Sequence, residues 1–298
     1  MQEPGGTKHS IASAMLLMAC ASSLFPVSDV IAKYLVRDYH ALQVTWARYL
    51  FQLIILAIAL GGRNIFQRFA TRRLKLQLLR GVLTVMATVL FISALKTTPV
   101  VDGITLLFTS PLFVVALSVP FLGERVGFHR WAAVLVGFTG VVLVLRPGEG
   151  IVQWGALLAL GSAACVGVFH IVTRILSRTD HPITTLLYMA LTGLLILTAV
   201  VPFFWTEPTL EAWLLFALAG LISGFAHYGV ITAIRWAPLS AVAPFTYAQI
   251  MSATMMGYLV FGDIPGEWTV AGLAIIIGSG LYVLHRERRM AVKEAAVQ

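Results

Sequence analysis

Apolar residues fill one stretch after another of about twenty positions, broken only by short polar connections, and that length is what a helix needs to cross a bilayer. Ten such stretches occur, at 11–35, 42–61, 77–96, 100–122, 128–146, 152–176, 183–204, 211–234, 239–261 and 267–285. They are too long, and alternate too little, for outer-membrane strands, which run about ten residues with a period of two. In hydrocarbon every backbone N–H and C=O must be satisfied within the segment, so the pattern predicts ten transmembrane helices in an all-α integral membrane protein.

Composition agrees. The chain is 59% hydrophobic and 11% charged, whereas a soluble domain carries roughly 25% charged residues. The net charge of +8 lies in scattered short loops, so it is no nucleic-acid footprint. Cys20 and Cys165 sit in apolar runs as small hydrophobes, and nothing implies a disulfide, a metal or a cofactor. Lys8 followed by an apolar run and Ala19-Cys20-Ala21 imitates a signal peptide. The apolar stretch continues past that point, so it reads as the first span.

With ten spans, sixteen Lys and Arg residues fall on the face holding both termini, Arg80 among them, against four on the other face: Lys33, Arg37, Lys96 and Arg146. Positive residues accumulate on the cytoplasmic side, so both termini are expected there, in a bacterial inner membrane. The clusters Arg72-Arg73-Lys75 and His285–Arg289 are expected to meet anionic lipid headgroups.

The second half rewrites the first. Residues 81–145 slide without a gap onto 220–284, an offset of 139, with Gly81 on Gly220, Pro99 on Pro238, Gly123 on Gly262 and Glu124 on Asp263. Only ten of sixty-five positions are identical, but the matched Gly and Pro residues mark where helices stop and turn. The first two helices of each half match at an offset of 141, with Arg37 on Arg178 and His40 on His181. Five helices per half is an odd number, so the second copy enters from the opposite side and the repeats are inverted. We read 1–148 as the first five-helix repeat, 149–285 as the second and 286–298 as a basic tail.

Ala94–Pro99, Ser110-Pro111, Phe121–Arg125, Gly137, Gly140, Arg146-Pro147-Gly148 and Ala47-Arg48-Tyr49 together resemble the EamA module of the drug/metabolite transporter superfamily. The likeness spans the chain and is stronger in the first half. It implies paired five-helix modules and export of small metabolites. Among subfamilies the chain is most similar to the YddG-type amino-acid exporters.

Ionisable groups within spans are costly, by about 2.5–3.5 kcal/mol on insertion scales, and usually face a cavity or a partner. Asp29, His170 and His227 qualify, and the repeat places Asp29 on His170. Asp29 has two possible partners: Lys33 one turn on, and Arg48 on the next helix; a cavity role with proton coupling is the alternative. Trp46, Thr84, Thr88, Thr109, Tyr228, Tyr247 and Gln249 complete a candidate pocket with aromatic walls and few polar groups, suited to a zwitterion with an apolar side chain. Pro111 and Pro244 are hinge candidates, or simple packing kinks. Gly220 and Gly224 form a GxxxG spacing, expected at a close helix contact.

The leading expectation is an alternating-access carrier for amino acids or similar metabolites, acting as a monomer or weak homodimer. Without a Walker-A loop, ATP does not drive it directly. An exchanger of nucleotide sugars or other phosphorylated metabolites would favour several mid-span Lys or Arg residues, and Arg48 alone qualifies. An uncoupled pore is the other alternative. Ser223 and His227 share one helix at the wrong spacing for an intramembrane protease, so no enzyme is expected.

Overall fold

The computed structural model describes residues 11–59, 69–122, 128–145, 154–176, 179–237 and 242–297. Among them are eleven α-helices: α1 Ile11–Leu35, α2 Ala41–Ala59, α3 Leu74–Ala94, α4 Val100–Leu107, α5 Ser110–Leu122, α6 Phe128–Leu145, α7 Trp154–Leu176, α8 Pro182–Val200, α9 Leu210–Trp236, α10 Ala248–Phe261 and α11 Glu267–Val297. They make ten membrane segments, because α4 and α5 are two pieces of the fourth.

The fourth segment breaks for a local reason. Pro111 has no N–H for the Leu107 carbonyl and its ring collides with the preceding turn. The chain turns at Phe108-Thr109, and the Thr109 hydroxyl donates to Leu106 O at 2.6 Å. The ninth segment is irregular at the matching place: Ala243–Tyr247, carrying Pro244, is a 3₁₀ turn before α10. Pro202 ends α8 similarly, in the turn Val201–Phe204. Helix α11 runs on through the basic tail to Val297.

Packing shows the inversion directly. Exchanging the halves (α1 with α7, α2 with α8, α3 with α9, α4–α5 with α10, α6 with α11) converts each major contact into another that is present. The α1–α9 contact becomes α7–α3, α2–α9 becomes α8–α3, and α1–α10 becomes α7–α4 and α7–α5. The α2–α8, α4–α10 and α6–α11 contacts map onto themselves. That is a pseudo-twofold axis between two five-segment halves.

Glycines mark the tightest crossings. A Cβ on Gly81 would lie 2.6 Å from Thr192 Cβ on α8, and one on its repeat mate Gly220 2.6 Å from Phe51 Cβ on α2. Gly224 lies beside Gln52 one turn further, as the GxxxG spacing predicts.

The outward faces are apolar: Leu16, Ile58, Leu135, Leu195, Leu214, Phe225, Met251 and Leu259 all stand exposed. In water this would be an untenable continuous patch; in hydrocarbon it costs nothing. Trp131, Trp154, Trp205 and Trp268 are exposed near helix ends, where an interfacial belt belongs.

The matched histidines have the same local task. His40 Nδ1 accepts from Leu42 N at 3.3 Å and His181 Nδ1 from Ile183 N at 3.2 Å, each satisfying an unpaired N–H at a helix start. Burial and the charge of Lys96 push the His40 imidazole below its ordinary value. A depressed folded value means this contribution is complete above about pH 6.5, the unfolded histidine value, and is lost as pH falls through the lower folded one. We expect acidification from pH 7.5 to 5 to lower the thermal midpoint in detergent, by an amount corresponding to about 1 kcal/mol for one lost cap. His40→Asn, which caps without titrating, should flatten that dependence; an unchanged slope would remove His40 from the explanation.

Candidate functional site

Polar side chains converge where α1, α2, α3, α7, α8 and α9 meet. Each comes from a polar stripe on an otherwise apolar helix. On α2 the stripe is Thr45, Arg48 and Gln52, all buried; on α3 it is Gln77, Arg80, Thr84 and Thr88. Spacings of three and four put each set on one face.

Asp29 is buried and paired with Arg48, Nη1 to Oδ1 3.1 Å. The intrahelical Asp29–Lys33 pair does not form, because Lys33 reaches Asp263 across the bundle at 2.7 Å. Asp263 stands on the turn whose Gly262 has φ +71°, a conformation natural to glycine. Glu124, its repeat mate, lies outside the described residues, as do Gly123 and Arg125.

Arg80 is the residue that sequence reasoning missed. Near the start of the third span, it was assigned to a surface loop. It is 4% exposed, and its Nε donates to Thr173 Oγ1 at 2.8 Å. Its Nη1 donates to Thr185 O at 3.2 Å, and its guanidinium lies 4.3 Å over the Phe169 ring. Moving Arg80 inward leaves the charge count at fifteen to four, so the asymmetry survives. The stripe Gln77, Arg80, Thr84, Thr88 was the available signal.

Around this cation the remaining groups assemble. Tyr49 OH and Thr88 Oγ1 are hydrogen-bonded at 3.1 Å, while the hydroxyls of Thr84 and Thr88 also donate to the preceding turn. His170 lies between Gly167, packed on Phe113, and Thr173, bonded to Arg80, yet keeps accessible surface. His227 is half-buried, with Nδ1 2.9 Å from Ser223 O and its ring edge-on to Phe25 at 4.9 Å. Arg80 is within electrostatic reach of His170, His227 and Tyr49.

The other candidates fall elsewhere. Tyr228 is 51% exposed, on the face of α9 that also carries the exposed Leu214, Leu218 and Phe225. Helical periodicity points it away once His227 points in. Trp46 sits toward the face opposite the termini, its indole on Thr198 at 2.9 Å. Thr109 is fully buried with its hydroxyl spent on its own backbone. Tyr247 packs against its mate Phe108 at 5.2 Å, and Gln249 follows half-buried in α10. Pro111 is exposed one residue into α5; the break it causes, not the ring itself, lies at the α4–α5 junction.

Polar bridges tie the halves at both mouths. On the face opposite the termini Gln43 exchanges two hydrogen bonds with the Thr206 backbone, at 2.7 and 3.0 Å, and Thr209 N donates to Tyr39 OH. A groove of about 430 Å³ opens there beside His40, Lys96 and Phe204, away from the Arg48–Arg80 constellation. On the face of the termini Asp180 accepts from Thr71 and from Gln77, the latter at 2.7 Å. Burial would raise the Asp180 carboxyl, but hydrogen bonds from Thr71, Gln77 and Thr179 and the charge of Arg73 outweigh it and hold it below the usual range. No group of three or more potential metal ligands occurs among the described residues.

Two helical repeats around a buried polar centre suit a membrane transporter of small molecules. Residues 12–146 and 153–284 each match the EamA-like transporter family, and the chain belongs to that family, within the drug/metabolite transporter superfamily. It is similar to a riboflavin transporter of Rhizobium johnstonii (34% identity, 73% of this chain and 72% of that one). It also resembles a riboflavin transporter of Vibrio cholerae (30%, 96% and 98%) and an S-adenosylmethionine uptake transporter of Rickettsia bellii (26%, 96% and 97%). A solved crystal structure superposes over 94% of this chain and 99% of its own with a TM-score of 0.65 at 19% identity, a likeness of fold. These relationships place the chain among multi-pass membrane transporters of small metabolites.

Proposed function

We propose that this protein moves a small metabolite with an amino-acid-like polar head and an apolar body across the bacterial inner membrane by alternating access, its termini in the cytoplasm. The observation that carries this reading is the placement of Asp29, Arg48, Arg80, His170 and His227 at the centre of the pseudo-twofold assembly, where inverted repeats hold their substrates. The bridges at the two mouths support the alternating cycle. The α1–α2 corner meets the 204–209 connection on one side, and its repeat mate, the α7–α8 corner, meets the α2–α3 connection on the other. Releasing one set while keeping the other opens one mouth at a time. Direction follows from the gradients across such a carrier, so export and the uptake for which the S-adenosylmethionine relative is named use the same cycle.

Riboflavin is the second reading, favoured by the 34% and 30% identities to riboflavin transporters. Counterflow in proteoliposomes with labelled phenylalanine, S-adenosylmethionine, riboflavin and a nucleotide sugar decides among them. A carrier should show saturation and counterflow with at least one compound. Linear, non-exchanging flux would indicate a pore and sink alternating access, and counterflow of riboflavin alone would move the assignment to the second reading.

A further inference from the structure

The formal charges at the centre do not cancel. Asp29 neutralises Arg48, and Lys33 pairs with Asp263; Arg80 has no carboxylate within ion-pair distance among the described residues. The acid nearest along its hydrogen-bond network is Asp180, which is committed to Thr71 and Gln77. A guanidinium stays charged under all ordinary conditions, so one positive charge remains in a 4% exposed position. Burying an uncompensated charge is strongly unfavourable.

The surroundings hold this cation in place without neutralising it. Thr173 fixes Nε, the Thr185 carbonyl takes Nη1, and Phe169 supports the plane of the group. Nη2 has no partner among the described residues, and His170, between Phe169 and Thr173 on α7, keeps accessible surface. Such a fork, oriented in advance with one arm free, is what a carboxylate requires.

We propose that Arg80 is the substrate's anion anchor, binding the carboxylate of the transported metabolite on the path between the centre and the face of the termini. The proposal rests on the carrier reading and sharpens it, because it makes a single negative charge a requirement of the cargo. One uncancelled positive charge matches a monoanionic carboxylate better than a phosphate dianion, which would call for a second free cation, and Arg48 is already spoken for. The carboxylate partner that Arg80 lacks among the described residues arrives with the substrate.

The test uses the purified full-length protein in detergent and three simple probes: benzoate, its neutral isostere benzamide, and phenyl phosphate. Binding is read by thermal shift and tryptophan fluorescence. Benzoate should stabilise the wild type in a saturable way and benzamide should not. Arg80→Gln should weaken benzoate binding about tenfold or more, and Arg80→Lys, which keeps the charge but loses the fork, should fall between. The Lys variant also guards against a folding artefact. No benzoate response in the wild type, an equal response to benzamide, or an undiminished response in Arg80→Gln would each overturn the proposal, and tighter binding of phenyl phosphate would replace carboxylate by phosphoryl recognition. Benzoate binding without any counterflow would refute the carrier reading while leaving this site standing.

Discussion

Replacing Asp29 with alanine is expected to lower stability by about 3–5 kcal/mol, because it strands Arg48 as a buried charge without a partner. The side chains of the pair are only 6% and 9% exposed, so water cannot substitute for the missing carboxylate. Asp29→Asn keeps a hydrogen-bond acceptor and loses the charge, and should fall between. The paired replacement Asp29→Leu with Arg48→Met removes both charges and should recover most of the loss, since apolar residues of similar volume often match or exceed a buried ion pair in stability. Thermal unfolding in detergent measures all four proteins. An Asp29→Ala protein as stable as wild type would show that the pair contributes nothing to the fold. The pH dependence of counterflow in Asp29→Asn is a separate readout: a changed profile assigns Asp29 to proton coupling, and an unchanged one confines it to structure.

The second large effect is expected at the α6–α11 crossing. A Cβ on Gly272 would lie 2.5 Å from the Gly140 carbonyl oxygen, and one on Gly140 2.7 Å from the Gly272 carbonyl oxygen. The obstruction on each side is backbone, which cannot rotate away as a side chain can. Gly272→Leu must therefore separate the two helices and should cost about 3 kcal/mol, at the upper end of overpacking penalties. The crossing maps onto itself under the pseudo-twofold axis and involves none of the helices that supply Arg48 or Arg80. The loss should thus appear in thermal midpoint and yield, with the KM of counterflow unchanged. A raised KM at normal stability would show that this crossing moves during transport. At Gly81 and Gly220 the nearest atoms are instead the Cβ atoms of Thr192 and Phe51, each at 2.6 Å, and Gly220 also faces the Arg48 carbonyl oxygen at 3.0 Å.

What could be read from the residues alone followed from the solvent. A bilayer demands about twenty apolar residues per crossing and penalises exposed backbone, so span number, helical class and the five-plus-five division are written in composition and length. The inversion followed from parity. The histidine match at 40 and 181 proved to be a pair of equivalent helix caps, because capping is a local interaction and local interactions repeat with the sequence.

Partner choice was not legible, because it depends on which helices the fold brings together. Lys33 had an acid one turn away and took another 230 positions along the chain. Asp29 took Arg48 on the neighbouring helix. Tyr228 stood next to His227 in sequence and ended on the opposite face of α9. Arg80 looked like a loop cation until α7 and α8 closed over it. The repeat supplies a symmetric scaffold, but among the described residues the buried arginines, Arg48 and Arg80, belong to the first copy and the mid-span histidines, His170 and His227, to the second. Hydropathy along the chain decides what enters the membrane, since lipid reads each segment separately. Only the packing of the two halves decides which charges are paired, since pairing depends on residues far apart in sequence.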